Sequence, residues 1–117
     1  VESADGKYLY FARDWPDKYA VWSVSVAGGE AVRVIDALHP TGGWALFEDG
    51  IYYVGMPGDD GRSPIQFKNL ATGKVETLAT TTARPFWGFT VSPDRRTILF
   101  VQSDEGESDL MLVENFR

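Results

Sequence analysis

Apolar and polar positions alternate along much of this chain with a period of two. Trp87, Phe89 and Val91 are interleaved with Gly88, Thr90 and Ser92, and Trp22, Val24 and Val26 with Ser23 and Ser25. Successive strand residues point to opposite sides of a sheet, so this pattern predicts strands with one bulky face and one small or polar face. The runs YLYFA from Tyr8, IYYVG from Ile51 and ILFVQ from Ile98 are apolar on both faces. They predict strands covered from both sides, in the middle of a sheet. Turn-forming residues separate the runs, and the period-2 patterning excludes a solenoid of helices.

The pattern also repeats over a longer distance. SADGKYLYF from Ser3 returns as FEDGIYYV from Phe47 and as SPDRRTILF from Ser92, which sets Asp5, Asp49 and Asp94 at intervals of 44 and 45 residues. VWSVSV from Val21, IQFKNL from Ile65 and LMLVEN from Leu110 keep the same spacing, as do AGGEAVRVI from Ala27 and ATGKVETLA from Ala71. Each unit therefore predicts four short antiparallel strands. The strands around Trp44 and Trp87, with their small faces, suit a crowded place beside a central axis, and the polar VETLAT from Val75 suits an outer edge. The expected fold is all-β: β-propeller blades of four strands, about 2.6 of them in 117 residues.

The units divide the chain into 1–36, a first blade missing most of its inner strand; 37–80, a second blade; and 81–117, a third blade without its outer strand. An incomplete ring of this kind, short of the 4–8 blades a propeller needs to close, leaves apolar flanks on which Tyr8, Tyr10, Trp22 and Trp87 are expected. Self-association, or coverage by the remainder of a propeller, is the expected consequence. Two copies would supply about five to six blades.

The three aspartates are one position seen three times and are read as turn residues. Pro93 presets the φ of a tight turn before Asp94, and a carboxylate accepts backbone N–H bonds there. Gly6 and Gly50 follow Asp5 and Asp49, where a positive φ is expected, while the third unit carries Arg95 instead.

The S-x-D-G-(K) and SPD motifs, each followed by an apolar strand, resemble the TolB-type, WD-like β-propeller repeat. The closing segment FTVSPDRRTILFVQSDEGESDLMLVENFR, with ATGKVETLAT before it, resembles the C-terminal ends of bacterial TolB-like propellers. That resemblance implies a six-bladed ring used as an interaction platform. It also implies a frequent fusion to a winged-helix or kinase domain and, in TolB itself, periplasmic lipoprotein and membrane-protein partners. Phe47 and Glu48 in place of Ser-Pro, and Arg95 in place of glycine, depart from the motif.

Composition narrows the function classes. Eleven basic residues against seventeen acidic ones give a net charge of -6 with no basic cluster, so phosphate neutralisation has no source and nucleic acid is not an expected partner. With no cysteine there are no disulfides or thiolate metal sites, and the compartment stays open between periplasm and cytoplasm. No apolar run approaches the roughly 20 residues of a membrane-spanning helix, and no signal peptide opens the chain.

Candidate chemistry is sparse. His39 is the sole histidine, in ALHPTGG, with no GxSxG elbow for it to serve; it reads as a loop residue near the ring mouth. Asp59 and Asp60 in PGDDGRS lack the ligand alternation of an EF-hand and read as a hairpin turn. Asp104, Glu105, Glu107 and Asp109 read as a solvated acidic loop. Trp15 and Tyr19, in the hairpin RDWPDKYA, together with His39, Arg84, Phe86 and Trp87, are the candidate partner contacts. The expected role is non-catalytic: a protein-interaction or sensing scaffold within a larger bacterial protein, without cofactor or metal. The alternative is the substrate-gating propeller of a prolyl-oligopeptidase-like serine peptidase whose hydrolase domain is absent from these residues.

Overall fold

The computed structural model describes residues 1–14, 19–36, 38–39, 43–81, 84–104 and 107–114, apart from the side chains of 14, 19, 84–87, 103–104, 107–109 and 114. Ten strands follow one another: β1 (Tyr8–Asp14), β2 (Tyr19–Ser25), β3 (Val32–Ile35), β4 (Trp44–Leu46), β5 (Gly50–Val54), β6 (Pro64–Asn69), β7 (Val75–Thr80), β8 (Arg84–Val91), β9 (Thr97–Asp104) and β10 (Glu107–Glu114). They form three antiparallel sheets in the orders β1-β2-β3, β4-β5-β6-β7 and β10-β9-β8. The first sheet carries a remnant of a further inner strand: Glu2 bridges Leu9, and the Ser3 and Tyr10 amides donate to the Tyr8 and Val1 carbonyls at 2.8 and 2.7 Å.

The chain is thus built of β-propeller blades, one complete and two partial. β5 is the covered middle strand that its apolar run predicts, buried at every position between β4 and β6. β7 at the sheet edge is largely exposed.

The alternation along the second strand of each blade decides how the blades stack. Tyr10 and Val21 of the first sheet meet Ile51 and Tyr53 of the second in one core, with Ile35 and Leu38. Tyr52 and Ile65, on the opposite face of the second sheet, meet Val91, Ile98 and Phe100 of the third. Ile51 and Ile98 are completely buried, a placement worth about 1.5–3 kcal/mol each relative to exposure. The first core is also pinned by Lys68, whose Nζ donates to the Val34 carbonyl at 2.6 Å, from the second blade to the first.

The flank residues differ from expectation. Tyr10 faces the inter-blade core rather than solvent, and Trp22 is buried because the Arg13 guanidinium lies 4.2 Å over its ring. Tyr8 is about half exposed, as placed on a flank, and the Trp87 side chain lies outside the described residues.

Candidate functional site

Strand registers sort the connections into two ends. Because β5 ends where β6 begins and β7 ends, the hairpin 55–63 and the link 81–84 lie at one end of the second sheet. β1 and β9 end, and β2 and β10 begin, at the corresponding edge of their sheets, where β3 also ends. The turns 4–7, 47–50 and 92–97, with 26–31 and 70–74, lie at the other end.

Of the candidate contact residues, the backbones of Tyr19, His39 and Arg84 lie at the first of these ends. His39 is buried, and its amide donates to the Val54 carbonyl at 2.8 Å. The Asp59 and Asp60 hairpin is closed by Gly58 donating to Arg62 O, and by Arg62 N on the Asp60 carboxylate at 2.9 Å. Arg84 and Phe86, on β8, pair by backbone with Ser103 and Val101 of β9, and β8 shifts register before Phe89, where Gly88 takes φ of 109°. Tyr19 opens β2 opposite Asp14. The side chains of Tyr19, Arg84, Phe86 and Trp87, and the whole of Trp15, lie outside the described residues. Among the described residues no three His, Cys, Asp or Glu side chains are grouped as a metal site would need, and no helix is long and apolar enough to cross a membrane.

The opposite end is better defined. Asp5 accepts from the Ser3 hydroxyl at 2.7 Å and the Lys7 amide at 3.0 Å, and Asp94 repeats this with Ser92 at 2.5 Å and Arg96 at 3.0 Å. The serine hydroxyl first, then the backbone N–H, hold both carboxyls below their ordinary value of 3.8. Gly6 has φ of 72° and Arg95, its counterpart, 62°.

The middle turn is built differently. Phe47 and Gly50 exchange both backbone bonds, at 2.8 and 3.3 Å, so only Glu48 and Asp49 span it, two residues fewer than in the flanking units. Gly50 therefore lies in β5 and does not take the expected positive φ. Its need for glycine is one of space: a Cβ there would stand 2.3 Å from the Lys68 carbonyl oxygen and 2.4 Å from the Phe67 ring.

Asp49 consequently faces the next blade. Arg95 reaches back to it with Nη1 and Nη2 at 2.8 and 3.0 Å, donates Nε to the Tyr52 hydroxyl at 3.1 Å, and lies 4.9–5.5 Å from the Phe47, Tyr52 and Phe67 ring centroids. Burial works against the guanidinium's charge, but the bonds to Asp49 and Tyr52 outweigh it and the net shift is upward. Two of the departures from the repeat motif, Phe47 and Arg95, thus meet at one seam between the second and third blades. Sequence reasoning registered Phe47 and Arg95 only as exceptions; the signal was that both fell in neighbouring units at the same turn. Beside the seam runs a groove of about 530 Å³ lined by Tyr52, Phe67, Asn69, Lys74, Glu76 and Leu78.

Face-to-face stacking of one four-stranded and two three-stranded antiparallel sheets, repeated along the chain, defines a β-propeller segment. Its fold is that of TolB-type propellers. TolB from Acinetobacter baumannii matches with a TM-score of 0.67 and 18% identity, over 97% of this chain and 29% of that one. A TolB-type protein of Agrobacterium tumefaciens matches at 0.66 and 18%, over 98% and 44%. An oligogalacturonate lyase in complex with manganese matches at 0.69 and 16%, over 98% and 39%. The chain therefore spans less than half the length of each of these proteins. No family model and no curated protein matches the sequence.

Proposed function

We propose that this chain is a non-catalytic protein-recognition segment of a larger bacterial protein, whose contact surface is the end formed by residues 14–19, 36–43, 55–63, 81–84 and 104–107. The observation that supports this reading is the register of the three sheets, which brings the ends of β1, β3, β5, β7 and β9 to one side of the stack. Loops held by a packed scaffold are where recognition residues concentrate. At the other end the turn side chains bind within their own turn, as Asp5 and Asp94 do, or to the neighbouring turn, as Arg95 does to Asp49.

A photo-crosslinking amino acid at Asp59, at the recognition end, is expected to capture a protein partner in bacterial cells expressing the chain, while the same probe at Ala71, at the opposite end, captures none. Adducts from Ala71 alone, or from neither position, refute the assignment. The enzymatic reading is tested separately. Incubated with oligogalacturonate and Mn²⁺, the chain is expected to produce no unsaturated uronate absorbance, and its appearance would replace recognition by lyase chemistry.

A further inference from the structure

A second groove, of about 360 Å³, runs between the first two blades beside their shared core. β3 forms one wall and β6 with β7 the other, so both walls lie within this chain and face each other. Pro64, Gln66 and Lys68 alternate with Ile65 and Phe67, which pack on the third blade, and this turns the first three toward the first blade.

Three oxygen acceptors line the groove near the end where β3 and β5 stop and β6 begins. Tyr53, only 5% exposed, carries a hydroxyl with no hydrogen-bond partner among the described residues. Gln66, opposite Tyr53, donates its amide N–H to Thr77 Oγ1 at 3.1 Å and leaves its carbonyl oxygen beside Gly55, where a Cβ would stand 3.2 Å from it. Asp36, the first residue beyond β3, gives Oδ1 to Arg33 Nε at 2.9 Å and keeps Oδ2. Burial first, then the Asp36 carboxylate, push the Tyr53 hydroxyl above its ordinary value of 10, so it stays neutral with lone pairs to offer. Lys68 stands four residues beyond Pro64, about 13 Å further along the strand, with its Nζ on the Val34 carbonyl. At the acceptor end the apolar surface comes from Pro64 and from Met56, which is 43% exposed at the mouth.

We propose that this groove takes a basic side chain, lysine or arginine, from a protein partner, its stem against Met56 and Pro64 and its charge on Asp36, Tyr53 and Gln66. A cation suits this end because buried acceptors lacking donors gain most from one. Charge complementarity points the same way: the neighbouring hairpin carries Asp59 and Asp60, and the whole chain has a net charge of -6. The inference rests on the loop-end recognition reading and names what the partner presents.

Proton–nitrogen correlation NMR on the full 117-residue chain tests it, with Nα-acetyl-lysine amide and Nα-acetyl-arginine amide as probes and Nα-acetyl-glutamate amide as the charge control. At millimolar concentration at least one basic probe is expected to shift the Asp36 and Gly55 backbone signals and the Gln66 side-chain amide saturably, while the acidic control leaves them in place. Asp36→Asn, at an exposed position, is expected to weaken that binding about fivefold, the share of one partly screened charge. Tyr53→Phe keeps the ring in the core and is expected to weaken it about threefold; should it disturb the fold, Asp36→Asn decides alone. No saturable shift with either basic probe, equal shifts with the acidic one, or undiminished binding by Asp36→Asn overturns the proposal. Asp59 adducts without probe binding overturn this inference and leave the recognition reading standing. Probe binding without adducts overturns the protein partner and leaves the chemistry of the groove.

Discussion

Replacing Arg95 separates two effects that act at one residue in opposite directions. Its guanidinium ties the third blade to the second, whereas its backbone occupies the left-handed region at φ 62°, which costs a residue bearing a Cβ about 1–2 kcal/mol. Asp49 is 43% exposed, so solvent screening limits the bidentate pair to about 1 kcal/mol. The aromatic cage of Phe47, Tyr52 and Phe67 adds about 1 kcal/mol, and the buried stem contributes a similar amount through packing. Arg95→Ala is therefore expected to destabilise by about 2–3 kcal/mol. Arg95→Gly loses the same contacts but relieves the backbone, and is expected to cost about 1 kcal/mol less than Arg95→Ala. Urea unfolding followed by tryptophan fluorescence reads all of these, and a double-mutant cycle with Asp49→Ala is expected to return a coupling of about 1 kcal/mol that shrinks in high salt. If Arg95→Ala matches wild type, or Arg95→Gly is the less stable of the two, the seam does not hold the blades as argued.

Other expectations follow from the same geometry. Gly50→Ala is expected to cost about 3 kcal/mol in urea unfolding, because the Cβ meets a strand carbonyl that cannot retreat. At Gly6 the main obstacle is φ, since a Cβ would otherwise meet only the flexible end of Glu2 at 3.1 Å, so Gly6→Asn is tolerated better than Gly6→Ala, and equal losses would refute this distinction. Asp5 and Asp94 have folded values depressed below 3.8, so their contribution is fully present above about pH 4 and is lost as pH falls through the lower folded values. Asp5→Asn/Asp94→Asn is accordingly expected to show a shallower fall in Tm between pH 5 and pH 3 than wild type, as read by circular dichroism. Lys68→Met keeps the stem and removes the bond to the Val34 carbonyl, and should lower stability by about 1–2 kcal/mol, with hydrogen exchange rising in β3.

The architecture of this chain was written in its local pattern. Period-2 alternation and the spacing of Asp5, Asp49 and Asp94 determine strands, their order within a blade and the stacking of like units, because side-chain direction in a strand follows from chain geometry alone. What the alternation could not say is which face meets which neighbour. That choice placed Tyr10 inside a core, exposed Leu9 and put Trp22 under Arg13. The Arg95 seam likewise needed tertiary structure. A turn two residues shorter in the middle blade turns Asp49 outward, and 46 positions of sequence separate it from the guanidinium it binds. Pairing across blades depends on how two sheets are set against each other, and no local periodicity encodes that.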